Sequence, residues 1–237
     1  MRNLESLAEL KKQGKMRIEE RRDNFVRQSL LSDEFLDLIQ RNKKPFDLLM
    51  CYYECAIMEV ETKFKVLNQE HSLEYDRNPI ESIKTRVKSY ESILKKIRKK
   101  DIPITMEAIE ENIKDIAGVR VICSFQDDVY RVAGAIKKLP GYELVKEKNY
   151  ITKPKSSGYR SIHLILRPTK TTSNIKCIEV QVRSAAMNYW AILEHQLCYK
   201  NEKKGAERIR KELKECAIDI AKIDKKMLKL RKEIEKI

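Results

Sequence analysis

An α/β or α+β core bracketed by helical ends is predicted for this chain of 237 residues. The main observation is an alternation in the middle of the chain: strand near 119–125, helix over 128–139, a turn at Pro140-Gly141 and strand over 142–145. Such strand-helix-strand order is the signature of helices packed on a sheet. Two further apolar alternating runs follow at 162–166 and 177–183, then a helical pattern over 184–199. The ends are helical in a different way, dense in charge and without strand alternation.

Residues 1–44 read as helix, weakly around Leu4, Leu7, Ile18 and Phe25 and better after Ser32, a candidate N-cap. From Pro45, which suits a first turn, Phe46, Leu49, Tyr53, Ala56, Val60, Phe64 and Leu67 recur at threes and fours. That is a core-facing helix of about six turns. Asn78-Pro79 breaks the pattern, and 80–100 reads as another helical block ending in Lys95, Lys96, Arg98, Lys99 and Lys100, with Asp101-Ile102-Pro103 as its stop. A turn-rich stretch spans 169–174. At the other end Ile209, Leu213, Cys216, Ile220, Ile223, Met227, Leu230, Ile234 and Ile237 form a heptad seam that needs a partner helix. The resulting division is a helical region over 1–74, a mixed core over 75–200 and a C-terminal amphipathic helix over 201–237.

Composition narrows the function classes. Lys and Arg total 50 against 36 Asp and Glu, a formal charge of +14, which favours nucleotides, RNA or acidic lipid as partners. The six cysteines include no CxxC pair and there are three histidines, so neither a disulfide framework nor a zinc site is expected. A reducing cytoplasm fits that usage best. No run approaches the ~18 apolar residues of a membrane span, and no apolar leader opens the chain. Neither GxxxxGK[ST] nor GxGxxG occurs, so phosphates must be held by side chains.

The unusual polar residues concentrate between 148 and 195. The loop Lys153-Pro154-Lys155-Ser156-Ser157-Gly158-Tyr159-Arg160 is basic and glycine-bearing, a composition suited to phosphates. In the run Ile178-Glu179-Val180-Gln181-Val182-Arg183 the apolar residues share one face, and a carboxylate, an amide and a guanidinium share the other. Asp115 offers a second carboxylate just before an apolar strand. Two carboxylates near basic loops suggest metal-assisted phosphoryl chemistry, and they suffice in number for Mg²⁺, which takes one or two carboxylates plus substrate phosphates. The same features also fit ordinary surface roles: a solvated strand face for Glu179, a cap for Asp115, core packing for Tyr159, a structural His163. Asp115 and Arg120, five apart, share a strand face only if Gly118 makes a bulge. Arg86 and Lys88, two apart in an expected helix, do not face the same way.

Six segments then carry a resemblance: Arg86-Val87-Lys88-Ser89-Tyr90-Glu91-Ser92-Ile93, Asp115-Ile116-Ala117-Gly118-Val119-Arg120, Tyr150-Ile151-Thr152-Lys153-Pro154-Lys155, Gly158-Tyr159-Arg160-Ser161-Ile162-His163, Glu179-Val180-Gln181-Val182-Arg183, and Ala186-Met187-Asn188-Tyr189-Trp190 through Glu194-His195. In this order they resemble the small alarmone synthetases, stand-alone (p)ppGpp synthetases of the RelA/SpoT superfamily. The resemblance implies an α+β fold with a mixed five-stranded sheet of nucleotidyltransferase-palm type flanked by helices. It implies that 75–200 is the synthetase domain, moving pyrophosphate from ATP to the ribose 3′-hydroxyl of GDP or GTP and releasing AMP. Asp115 and Glu179 are then the catalytic and Mg²⁺-binding residues. Arg86, Lys88, Arg120 and Lys96 fall on the ATP side, and Lys153, Lys155, Tyr159, His163, Gln181 and Asn188 on the GDP/GTP side, with Tyr159 stacked on guanine. Asn149 and Ser184 stand where the family commonly has Asp and Thr.

A homo-oligomer, with a tetramer favoured, is expected through the terminal helices. No His-Asp dipeptide occurs and too little chain precedes Arg86 for a hydrolase domain, so synthesis without hydrolysis is expected. Two other classes stay open: an RNA-binding helical protein using its basic ends, and a palm-type nucleotidyltransferase.

Overall fold

The computed structural model describes residues 32–75, 77–169, 175–199 and 206–237. The helical reading of 1–31, the turn-rich reading of 170–174 and the start of the C-terminal segment at 201–205 lie outside the described residues. Five strands form one mixed sheet in the order β1-β2-β5-β4-β3. They are β1 (Ile80–Val87), β2 (Ala117–Cys123), β3 (Tyr142–Asn149), β4 (Ile162–Pro168) and β5 (Ile178–Ser184). Only the central β2–β5 pair is parallel; β1–β2, β5–β4 and β4–β3 are antiparallel. The α+β class and the five-stranded mixed sheet flanked by helices are as expected.

Two compact units divide the described chain: residues 1–48 with 89–113, and 49–88 with 114–237. The first holds α1 (32–41), the opening of α2 (Lys43–Tyr75), α3 (Tyr90–Lys100) and α4 (Met106–Asn112). Phe35, Phe46, Ile93, Ile97 and Ile109 are buried there, and the Phe46 and Tyr90 rings lie 5.1 Å apart. Ser32 lies within α1 instead of capping it, and its hydroxyl accepts from Arg98. The helix α4 was not anticipated; Thr105 caps it, accepting from the Ala108 N–H at 3.2 Å.

Residues 80–100 are not one helix. Ile80, Ile83, Thr85 and Val87 are β-branched and form β1, whose partner β2 supplies an antiparallel ladder that is regular from Ser82↔Ile122 to Val87↔Ala117, with a register shift between Ile80 and Ser82. Tertiary pairing overrides the helical spacing, and Ser89 then caps α3. The helix α2 extends past the expected 67 to Tyr75. Its Asn68 side chain accepts the Ile80 N–H at 3.0 Å, which ties it to the start of β1.

In the second unit one sheet face is apolar. Val119, Val121, Leu164, Leu166, Ile178, Val180 and Val182 are buried, and α5 (Gln126–Ile136) packs across β2, β5 and β4. The helix α6 (Ala185–Tyr199) packs on β5 and β2, and α7 (Ala206–Ile234) packs on α6 and α5. The docked stripe of α7 is centred on Ala217 and Asp224, both buried. The predicted seam lies beside that stripe and stays largely open: Ile223 is 58% exposed, Met227 52% and Ile234 70%.

Two buried carboxylates hold α7 and the β1 entry in place. Asp128, 0% exposed, accepts from Arg77 Nη1 and Nη2 at 2.8 and 2.6 Å, while Arg231 of α7 donates to Asp127 at 2.6 Å. Both guanidinium groups lie over the Phe125 ring, at 5.8 and 4.9 Å. Asp224 accepts the Ser184 hydroxyl at 2.6 Å, and Ser184 also caps α6 by accepting the Met187 N–H at 3.2 Å. Burial raises the Asp224 carboxyl above the usual range, opposed by the Ser184 hydrogen bond.

An Asp128→Ala variant strands Arg77. It is expected to lose stability toward the lower end of the roughly 3–5 kcal/mol typical of broken buried pairs, because Arg77 keeps some solvent access; chemical denaturation measures this. For Asp224 the sign is reversed. A carboxyl raised in the folded state favours folding when protonated, and its contribution is lost as pH rises from about 4 through the folded value. Asp224→Asn is therefore expected to raise the thermal midpoint at neutral pH, with the gain vanishing toward pH about 4 in thermal melts.

Candidate active site

The sheet's other face is polar, and strand register decides what meets on it. In one row across the strands Lys84 of β1 stands opposite Arg120 of β2, Arg120 beside Gln181 of β5, Gln181 opposite His163 of β4, and His163 opposite Lys148 of β3. The next row runs Arg86, Gly118, Glu179. Residues paired across strands share a face, so these are true neighbours. Gly118 leaves the floor open between Arg86 and Glu179. A Cβ there would sit 3.7 Å from the Arg86 side chain, an ordinary contact, so the glycine serves the space above it more than the packing beneath.

Two cavities lie over this face. The first, of about 220 Å³, is lined by Lys84, Thr85, Arg86, Asp115, Gly118, Val119, Arg120, Glu179 and Gln181. The second, of about 590 Å³, is lined by Lys155, Ser157, Tyr159, His163 and Arg183, by Ala191, Ile192, Glu194, His195 and Gln196 of α6, and again by Arg86, Arg120 and Gln181. The cavities therefore meet at two guanidinium groups and an amide. Asp115 reaches the first cavity from a turn before β2, with no bulge in the β2–β5 register, so strand-face parity with Arg120 does not apply. Lys88 Nζ lies 3.2 Å from Asp115 Oδ2. Because Lys84 and Arg86 belong to β1, they share a face; Arg86 and Lys88, expected two apart on one helix, are instead a strand residue and the residue just past the strand's end at Val87, so helical facing does not apply to them.

Glu179 is the end point of a closed side-chain ring. His163 Nδ1 lies 3.1 Å from Glu179 Oε1, and Gln181 Nε2 donates to Oε2 at 2.9 Å. A carboxylate only accepts, so Nδ1 carries the proton and Nε2 accepts the Tyr159 hydroxyl, 3.0 Å away. Arg183, 3% exposed, donates to the Tyr159 hydroxyl at 2.8 Å and to Gln181 Oε1, which closes the ring. Both arms thus start at one buried cation and end on the two oxygens of Glu179. Burial lowers the Arg183 guanidinium to about 10, which leaves it charged at neutral pH. Burial also pushes the Tyr159 phenol up, against the pull of Arg183.

The Tyr159 ring is held by cations. Lys155 Nζ lies 4.8 Å from its centre and 4.9 Å from that of Tyr150, and the Arg183 guanidinium lies 5.2 Å from Tyr159. Asn149 takes a structural role: its Oδ1 accepts the Ile151 and Thr152 N–H groups at 2.9 and 3.1 Å, starting the basic loop.

Of the residues expected from sequence, Asp115, Glu179, Arg86 and Arg120 share the first cavity, and Lys155, Tyr159, His163 and Gln181 line the second. Lys88 joins through Asp115. Lys153 is exposed on the loop, and Asn188 is buried on α6, its Oδ1 without a hydrogen-bond partner among the described residues; neither lines a cavity. Lys96 belongs to α3 of the first unit. Sequence reasoning missed Lys84, whose i,i+2 spacing from Arg86 becomes a signal once 80–87 is read as strand. The pattern placed the Arg183 guanidinium on the face of Glu179 and Gln181 but gave it no site role and no burial, whereas it is 3% exposed.

Among the described residues no cluster of three or more His, Cys, Asp or Glu forms, so the chain offers no complete metal cage. Asp115 and Glu179, facing one cavity beside three cations, would suit a divalent ion such as Mg²⁺ carried in with phosphates, which takes one or two carboxylates.

A mixed sheet with two carboxylates in one cationic cavity and a second cavity joined to it through Arg86, Arg120 and Gln181 is the arrangement of a protein that handles polyphosphate nucleotides. The region found in RelA / SpoT proteins matches residues 85–204. GTP pyrophosphokinase YwaC of Bacillus subtilis is 42% identical over 77% of this chain and 89% of its own length, and GTP pyrophosphokinase YjbM of the same organism is 35% identical over 81% and 91%. The structure of small alarmone synthetase 1 from Bacillus subtilis bound to its product pppGpp superposes with a TM-score of 0.73 at 34% identity, covering 81% of this chain and 98% of that one. The chain belongs to the RelA/SpoT family, among its small alarmone synthetases.

Proposed function

We propose that this protein makes (p)ppGpp by moving the β,γ-pyrophosphate of ATP to the 3′-hydroxyl of GDP or GTP. The observation that carries the reading is the pair of cavities joined at Arg86, Arg120 and Gln181, with both carboxylates on the first. Two polyphosphates brought together repel, and shared guanidinium groups offset that repulsion where the reacting groups meet. The first cavity takes ATP, with Arg86 and Arg120 on its phosphates and Lys88 holding Asp115. The second takes the guanine nucleotide against Tyr159 and Lys155.

Glu179 accepts the proton of the 3′-hydroxyl. The freed oxygen attacks the β-phosphorus, the bond from that phosphorus to the α,β-bridging oxygen breaks, and AMP leaves with the electron pair. The ring from Arg183 holds the Glu179 carboxylate at a fixed angle to the acceptor. Asp115 and Glu179 would hold Mg²⁺, which when bound neutralises phosphate charge. Among the described residues no helix is long and apolar enough to cross a membrane, and the cysteine usage supports a cytoplasmic setting. The open seam on α7, bordered by Lys, Arg and Glu, supports self-association through that helix into a homo-oligomer, with a tetramer favoured.

With labelled ATP, Mg²⁺ and GDP or GTP, the protein is expected to yield AMP and guanosine tetra- or pentaphosphate. Glu179→Gln and Asp115→Ala are each expected to cut turnover by about 10²–10⁴, and chelation of Mg²⁺ to stop it. Free pyrophosphate in place of AMP would indicate nucleotidyl transfer, and a folded, ATP-binding protein with no product would favour RNA binding. Ile223→Glu with Met227→Glu is expected to shift the sedimenting species to the monomer; an unchanged species would place the interface elsewhere.

A further inference from the structure

Gly158, Arg160 and Trp190 belong to the most recognisable segments of the chain, yet they line neither cavity. All three instead engage one stretch of α7. Trp190 Nε1 donates to the Leu213 carbonyl at 2.8 Å, and Arg160 Nη1 donates to the Ala217 carbonyl at 3.2 Å and to that of Gly158 at 3.1 Å. Gly158 has φ +95, and a Cβ there would lie 2.6 Å from Ala217 Cβ and 3.6 Å from the Lys214 backbone. The nucleotide-side loop thus lies directly on α7, with no room for a side chain between them.

This contact fixes three cations. Arg210, Lys211 and Lys214 line a groove of about 460 Å³ together with Ser156, Ser157, Glu194 and the apolar Leu213. Ser157 and Glu194 also line the second cavity, so the groove continues it. Arg208 nearby pairs with Glu212 at 3.1 Å, but Arg210, Lys211 and Lys214 form no ion pair among the described residues. Three cations and two hydroxyls against one carboxylate make a chemistry suited to a flexible polyphosphate.

We infer that α7 supplies a subsite for the 5′-polyphosphate of the acceptor nucleotide, through Arg210, Lys211 and Lys214, and so sets the preference among GTP, GDP and GMP. This rests on the reading of the second cavity as the acceptor site. The loop orients the nucleotide, and its 5′-phosphates extend along the groove toward α7. The tight contact at Gly158 keeps loop and helix in one register, so a phosphate tail leaving the cavity meets the cations at a fixed distance.

The test compares GTP, GDP and GMP as acceptors at saturating ATP, using the full-length protein and an Arg210→Ala/Lys211→Ala/Lys214→Ala variant. KM for GTP is expected to rise about tenfold, a loss of about 1.4 kcal/mol of binding, because all three side chains are solvent-exposed and their contacts are screened. The rise should be smaller for GDP and absent for GMP, with kcat and the KM for ATP unchanged. Lys211→Gln alone, a milder change, should show the same order with a smaller amplitude. A Lys225→Ala/Lys226→Ala/Lys229→Ala variant removes equal charge further along α7 and should leave all three acceptors unaffected. Equal rises for GTP and GMP, no change for either, or the same GTP effect in the control variant would overturn the inference. Calorimetric binding of GTP and GMP to the same proteins reads the difference without turnover. A wild-type protein that makes no alarmone therefore counts against the proposed function, and equal loss of GTP and GMP binding counts against the subsite.

Discussion

The parallel pairing of β2 with β5 is the constraint on which the site depends. These two strands are far apart in sequence and meet only after β3 and β4 have been laid down between them in the chain. Their register puts Gly118 beside Glu179 and Arg120 beside Gln181. A slip of one residue would send every polar side chain of β5 into the apolar layer under α5, so the burial of Ile178, Val180 and Val182 enforces the alignment. Core packing on one face of the sheet thereby fixes the position of Glu179 on the other.

Around Glu179 the structure concentrates polar groups in a region with little water access. Such a network is favourable only when its members are satisfied, because a buried donor or acceptor without a partner costs about 1–3 kcal/mol. Arg183 Nη2 donates to both Tyr159 and Gln181, so that the proton donors of both arms point toward the carboxylate, while Arg183 Nε is buried without a hydrogen-bond partner among the described residues and is the cost of this arrangement. The ring holds side chains from β4, β5 and the loop before β4 in one geometry. Catalysis that relies on positioning and charge neutralisation needs that rigidity before the substrates arrive.

The helix α7 has three faces with different work. One packs on α6 and α5 and buries Ala217 and Asp224, one presents cations beside the nucleotide-side loop, and one leaves an apolar seam open. Periodicity found an apolar stripe but could not say which stripe would be covered. Spacings of three and four fit more than one line along a helix whose Ala, Ile and Leu residues are spread around it. The stripe chosen for docking is the one that admits small residues, Ala217 and Ala221, where Gly158 and the α6 surface come closest.

Several parts of this protein were legible from its sequence. The strands β2, β4 and β5, the helices α5 and α6, and the turn at Gly141 follow from local periodicity and from the conformational limits of glycine and proline. Glu179, Asp115 and the basic loop stand out because carboxylates and clustered cations beside strands are chemically uncommon, and the six motif segments in order pointed to the family. Local pattern was silent or misleading where partners are distant. Ile80–Val87 is a strand because β2 pairs with it, and this turns Lys84 and Arg86 to one side. Arg183 is buried because the loop and strand around it supply Tyr159 and Gln181 as acceptors. Composition and periodicity are properties of neighbouring residues and are set by the chain alone. Register, burial and the meeting of the two cavities depend on contacts across a hundred residues, and only the packed tertiary structure decides them.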